Sequence, residues 1–254
     1  MAKVRTLILR APGTNCDQET AFAFQQAGAE TSLVHIGQLI RRRQKLADYQ
    51  IMVVPGGFTY GDDLGAGRVL SNEIRLKLGD DIERFIENGC LILGICNGFQ
   101  VLVKAGILPG GKSRQKLTLA TNDSGRFECR WVYLAANSKS RCVFTRGIER
   151  LYLPIAHGEG KLVADTAVIN SLDVALYYTD GQGNRQAGYP HNPNGSMADI
   201  AGICDGTGRI FALMPHPERH IRDSQHPRWP RQRSDSKEDG LGIFKNAVAW
   251  VRSL

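Results

Sequence analysis

Leu91-Ile92-Leu93-Gly94-Ile95-Cys96-Asn97-Gly98-Phe99-Gln100-Val101-Leu102 is the stretch on which the reading of this chain turns. Cys90 to Leu93 is a short apolar run of the kind that forms a strand buried on both faces. It enters Gly94-Ile95-Cys96-Asn97-Gly98 and leaves as a helix. This is the pattern of a nucleophile elbow, G-x-nucleophile-x-G, in which the chain bends so sharply that residues two away from the apex must lack a Cβ. The apex side chain is thrust out at the carboxyl edge of the sheet. It also sits at a helix N-terminus, where free N–H groups favour a thiolate. A structural cysteine flanked by chance glycines is the plain alternative, and the complete strand–elbow–helix context weighs against it.

The same alternation extends outward. Val4 to Leu9 reads as a strand, followed by a turn at Pro12-Gly13 and a helix capped by Asn15 or Asp17 that runs to about Ala27. Leu33 to Ile36 and Ile51 to Val54 read as further strands, and Asn72 to Glu87 has the apolar spacing of one helix. Continuous apolar strands between helices predict an α/β fold: a mostly parallel sheet flanked by helices on both faces. Residues 115 to 180 look richer in strands, with Phe127 to Leu134 alternating as a half-exposed strand does. Leu241 to Trp250 reads as a closing helix. No repeat or linker interrupts the chain, so 1–254 is expected to form a single domain, with 219–240 as an arginine-rich surface loop.

A nucleophilic cysteine needs a base. Ile210 to Met214 reads as a strand and runs into Pro215-His216-Pro217-Glu218-Arg219. Pro217 keeps His216 out of the helical region, and in extended backbone residues two apart face the same side. His216 and Glu218 can therefore act together, the carboxylate orienting the imidazole, as nucleophile–base–orienter sites require. Pro55-Gly56-Gly57-Phe58 follows another buried strand, and its glycines let backbone N–H groups approach a substrate. With the N–H of Asn97 they could hold an oxyanion. His35, His191, His220 and His226 lack such a setting and read as structural or solvated.

Composition bounds the rest. The chain has 254 residues, 32 Lys+Arg, 25 Asp+Glu and a net charge of +7. Arg41-Arg42-Arg43 with Lys45 carries +4, residues 219–233 carry another +4, and everything else together carries −1. The charge is thus two local runs rather than a basic surface, and no nucleic-acid partner is expected. The apolar stretches are too short for a membrane helix, and the N-terminus lacks a signal-peptide pattern, so a cytoplasmic protein is expected. The six cysteines form no CxxC pair, so neither a metal site nor a disulfide framework is expected. Neither GxGxxG nor GxxxxGK[ST] occurs, so no nucleotide or other cofactor site is expected on this chain.

Gly94-Ile95-Cys96-Asn97-Gly98-Phe99-Gln100 with Met214-Pro215-His216-Pro217-Glu218-Arg219 resembles the class I, triad-type glutamine amidotransferases. Four further stretches narrow the resemblance to the glutaminase subunits of phosphoribosylformylglycinamidine synthases: 13–17 (GTNCD), 55–62 (PGGFTYGD), 155–160 (IAHGEG) and 192–196 (NPNGS). The resemblance covers most of residues 4–250 and implies a flavodoxin-like fold. It implies that Cys96 attacks the side-chain amide of L-glutamine, that His216 shuttles protons, and that Glu218 orients His216. Gly57 and Asn97 would supply the oxyanion N–H groups. Gly56, Phe58, Gln100, His157, Gly158 and Glu159 would line the glutamine site. Asn122, Ser124 and Phe127 match a family stretch without an assigned role. The resemblance further implies a separate larger synthetase subunit holding ATP and Mg, which turns formylglycinamide ribonucleotide into formylglycinamidine ribonucleotide with tunnelled ammonia, and a small accessory subunit. The loop after Arg219 is longer than the family pattern, and its arginines are expected to contact the synthetase subunit. Two rival readings are a glutaminase of another amidotransferase complex and a cysteine hydrolase of related fold.

Overall fold

Short runs of Val, Ile, Leu and Met punctuated by glycine set the strands of the computed structural model, which describes residues 3–110, 115–229 and 240–254. In chain order the elements are β1 (Arg5–Arg10), α1 (Asp17–Gln26), β2 (Glu30–His35), α2 (Ile36–Ile40), β3 (Ile51–Val54), α3 (Arg68–Lys77), α4 (Gly79–Glu87), β4 (Leu91–Ile95), α5 (Asn97–Lys104), β5 (Leu117–Thr121), β6 (Glu128–Ala136), β7 (Arg150–His157), β8 (Glu159–Ala164), α6 (Thr166–Ser171), β9 (Asp173–Thr179), β10 (Ile200–Cys204), β11 (Ile210–Leu213) and α7 (Leu241–Arg252).

Nine strands form one sheet in the order β2-β1-β3-β4-β11-β10-β9-β6-β7, and β5 pairs with β8 in a small second sheet. The pairings from β2 through β11 are parallel, and those from β11 through β7 are antiparallel. The expected parallel sheet flanked by helices is therefore present, and it continues into an antiparallel extension built from the strand-rich middle of the chain. Helices α1 and α7 pack on each other, with Phe24 and Phe244 edge to face at 5.0 Å, while α3 packs on α5. One apolar cluster runs from Val4 to Val248 through all these strands.

Two local expectations change. The single helix over Asn72–Glu87 is two helices, α3 and α4, broken at Leu78, whose φ of −125° and ψ of 7° are not helical. Leu78 stays buried, so the apolar spacing runs through the break, whose marker is Gly79-Asp80-Asp81, a glycine and two acidic residues that open α4. The cap of α1 is Cys16 rather than Asn15 or Asp17, and no side chain caps it. Both expected caps are committed elsewhere: Asp17 pairs with Arg10 at 2.6 Å, and Asn15 Oδ1 accepts a hydrogen bond from the Cys16 thiol at 3.2 Å.

Candidate active site

β4 delivers Ile95 beside Leu213 of β11, so the turns that follow these two strands lie next to each other at the carboxyl edge of the parallel strands. Cys96 follows β4 with φ 50° and ψ −104°, outside the ordinary regions for a residue with a Cβ. The elbow glycines have a direct steric reason. A Cβ at Gly98 would stand 1.8 Å from the Val54 carbonyl oxygen of β3, and one at Gly94 would stand 2.9 Å from the Gly98 oxygen. The elbow is therefore wedged against its neighbouring strand. The Cys96 N–H bonds Leu213 O at 2.8 Å, and its thiol faces Ala156 O of β7 at 3.7 Å.

His216 is reached three residues beyond β11, with extended backbone (φ −104°, ψ 90°) as the following proline requires. Its N–H bonds Pro154 O of β7, which ties the turn to the antiparallel half. Nδ1 lies 2.6 Å from Glu218 Oε1, and both side chains are buried. Burial alone would lower the imidazole pKa. The Glu218 carboxylate, followed by Cys96 and by hydrogen bonds the protonated ring donates to the Cys16 and Cys96 sulfurs, more than offsets that and holds it well above its ordinary value.

The glycine loop after β3 is stitched to the loop after β1. Cys16 N–H bonds Gly56 O at 3.2 Å, and Phe58 N–H bonds Gly13 O at 3.0 Å. Gly57 has φ 147°, and a Cβ there would meet Gly13 O at 2.8 Å. At Gly56 a Cβ would stand 2.8 Å from His216 Cε1 and 3.0 Å from Cys16 Sγ. So the glycines admit both the neighbouring loop and the His216 imidazole. Asn97 is the first residue of α5, and its N–H has no acceptor within the helix. Its side chain binds the glycine loop to the elbow: Oδ1 accepts from Thr59 Oγ1 at 2.7 Å, and Nδ2 donates to Asp62 at 3.2 Å and to Gln100 Oε1 at 2.9 Å.

The β7–β8 connection, where the chain passes from the large sheet to the small one, closes the opposite side. Gln100 donates from Nε2 to the Glu159 carbonyl at 2.5 Å, so both ends of its amide are engaged within the chain, and its link to the site runs through the backbone of that connection. Lys104 approaches the Glu159 carboxylate at 3.9 Å. His157 points inward. Burial first, and the charge at His216 second, push its pKa down to about 3, so it stays neutral. Phe58 is exposed and faces the exposed Phe127 ring at 6.3 Å between centroids.

Several residues at the site had no role from sequence. Asn122 organises the β7–β8 connection: Nδ2 donates to His157 O at 2.8 Å and Arg126 O at 2.9 Å, while Oδ1 faces His157 Nδ1 and Gly160 N–H, each at 3.1 Å. The 192–196 stretch braces β8, with Ser196 Oγ accepting from Leu162 N–H at 3.0 Å. Asn194 donates to the buried hydroxyl of Tyr178 at 3.2 Å. Cys16 is buried, and its sulfur accepts from Arg219 Nη2 at 3.1 Å, while Arg219 pairs with Glu19 at 2.8 Å. The signal for these was present as matching stretches, but the partners lie up to 203 residues apart.

Within the arginine-rich segment, Arg219 and Arg222 turn back onto α1, the latter over the Phe22 ring at 4.4 Å. Arg231 and Arg233 lie outside the described residues. Among the described residues, no helix is long and apolar enough to cross a membrane.

A model of the CobB/CobQ-like glutamine amidotransferase domain matches residues 3–251. The chain is similar to the phosphoribosylformylglycinamidine synthase subunit PurQ of Dehalococcoides mccartyi, 64% identical over 255 residues with 100% of each chain covered. It is 46% identical over 264 residues to the protein of that name from Methanococcus maripaludis, with 97% of each covered. Among solved structures it resembles a chain of PurLQS from Thermotoga maritima, with a TM-score of 0.77, 33% identity, and 98% of this chain and 100% of that one covered. A glutamine amidotransferase from Thermotoga maritima, with a TM-score of 0.53 at 17% identity over 86% of this chain and 77% of that one, shares the fold.

Proposed function

The chain belongs to the CobB/CobQ-like glutamine amidotransferase family, and from that premise we propose how residues 1–254, taken as one amidotransferase domain, carry out the glutaminase half of phosphoribosylformylglycinamidine synthesis. It is a glutaminase subunit of a phosphoribosylformylglycinamidine synthase, acting in purine biosynthesis in complex with a synthetase subunit. The observation that carries the division of labour is the buried Cys96–His216–Glu218 constellation at the sheet edge.

L-Glutamine binds with its side-chain amide over Cys96. The sulfur attacks the amide carbon, and the thiol proton resides on His216. The oxygen of the tetrahedral intermediate is held by backbone N–H groups of Gly57 and Asn97, donors worth about 2.7–4 kcal/mol each in comparable sites. His216 gives its proton to the departing nitrogen, releasing ammonia and leaving a γ-glutamyl thioester. A water then gives a proton to His216 and attacks the thioester. Glutamate leaves, and the proton returns to the sulfur. Glu218 keeps Nδ1 protonated and offsets the imidazolium charge throughout. Gly56, Phe58, Gln100 and the His157-Gly158-Glu159 segment form the walls of the glutamine site.

Ammonia passes to the synthetase subunit, which holds ATP and Mg and converts formylglycinamide ribonucleotide to the amidine. A small accessory subunit completes the assembly. The test uses the full complex. Cys96→Ala should lower glutamine-dependent synthesis by at least about four orders of magnitude while synthesis from added ammonia persists. Retained glutamine use would reject Cys96 as nucleophile.

A further inference from the structure

Cys16 has no part in the reaction above, yet its thiol is packed against the catalytic imidazole. Its sulfur, a ring nitrogen of His216 and a carboxylate oxygen of Glu218 lie within 4.8 Å of one another. All three side chains are buried. His216 Nε2 and Glu218 Oε2 are buried without a well-aligned hydrogen bond among the described residues. One thiolate, one imidazole and one carboxylate, with a fourth position open, is a donor set suited to zinc-like ions. No spacing rule finds it, because the donors come from two loops 200 residues apart.

We propose that Cys16, His216 and Glu218 form a site for a thiophilic divalent cation of the Zn2+ class, and that its occupancy switches the glutaminase off. The regulatory half rests on the reading of His216 as proton carrier; the binding half does not. Bond lengths of about 2.0–2.3 Å put donors of such an ion about 3.3–3.6 Å apart, so the widest separation closes by at most about 1.5 Å, while the Nδ1–Oε1 pair, now at 2.6 Å, opens if both atoms bind. The thiol must lose its proton to solvent, as must any proton on the imidazole nitrogen that binds; burial holds the Cys16 thiol pKa above its ordinary value, and the Arg219 guanidinium beside the sulfur offsets part of that. Charge then balances. The ion offsets the thiolate and the carboxylate, and Arg219 is already paired with Glu19, so no unpaired charge is buried. Binding through Nδ1 removes the hydrogen bond to Glu218, and binding through Nε2 blocks the nitrogen left for Cys96. Either way the imidazole no longer carries protons.

The probe is Co2+, whose thiolate bond gives a charge-transfer band, titrated into the full-length chain. One equivalent should give the band in wild type and in Cys96→Ala, and the band should vanish in Cys16→Ser. In the assembled complex, Zn2+ should inhibit glutamine-dependent synthesis reversibly with a chelator, and Cys16→Ser should weaken that inhibition by at least about tenfold. A band kept in Cys16→Ser and lost in Cys96→Ala would assign the metal to the catalytic thiol and overturn the proposal, as would no band in any variant. Should Cys16→Ser fail to fold, X-ray absorption of zinc-loaded Cys96→Ala decides: one sulfur and one imidazole are expected, and a shell without sulfur overturns it. Glutamine use surviving in Cys96→Ala would sink the glutaminase mechanism while leaving these binding results standing.

Discussion

β3, β4 and β11 are buried at every position, whereas β7 alternates half-buried and buried residues along its whole length. The first group belongs to the parallel half of the sheet and the second to the antiparallel half, and the two halves contribute differently to one site. The parallel strands end at one edge, so their turns bring Cys96, His216 and Gly56 together with little side-chain help. The antiparallel half has no such convergence of strand ends. It builds its wall from the connection between β7 and β8, held by amides: Asn122, Gln100 and the 192–196 turn. Under the proposed mechanism, strand direction assigns bond-making to one half and substrate fit to the other.

The comparison can be broken by experiment. Glu218→Gln leaves the parallel half folded but sets the wrong imidazole tautomer, so kcat should fall by about three to four orders of magnitude with KM nearly unchanged. Asn122→Ala removes the hub of the β7–β8 connection. It should raise KM for glutamine by about 10–100-fold with a smaller effect on kcat, and destabilise the chain by about 1–3 kcal/mol. If Asn122→Ala lowered kcat as far as Glu218→Gln does, the division between the halves would fail.

The third expected effect is smaller and concerns pH. His157 has a folded pKa of about 3 against about 6.5 unfolded, so between these values the unfolded chain binds the extra proton. Its contribution to stability is complete above about 6.5 and declines as pH falls through that window. In denaturant titrations with a chelator present, His157→Gln should flatten the acid slope by up to about 1.4 kcal/mol per pH unit. An unchanged slope would show that His157 is not held neutral.

The parallel half was largely legible in the sequence, because its signals are local. The elbow fits in five residues, and the base and its orienter in three. The break at Leu78 was masked because the buried leucine keeps the apolar spacing, although Gly79-Asp80-Asp81 marks the start of a second helix. The hub role of Asn122 and the packing of Cys16 on His216 were hidden for another reason. Each depends on partners distant in sequence, and an asparagine or a cysteine alone does not say what it will meet. The cap of α1 was misjudged because Arg10 claims Asp17.

The backbone of Cys96 has one last implication. A residue with a Cβ at φ 50° and ψ −104° costs about 1–3 kcal/mol that glycine would not incur. The surrounding chain carries that cost through the wedge of Gly98 on Val54 and the bond from Cys96 to Leu213. At this position, selection for a sturdier protein and selection for a working one pull in opposite directions. A lineage released from the need for glutamine-derived ammonia would relieve that strain only by replacing the cysteine with glycine, since serine or alanine would keep the same backbone cost.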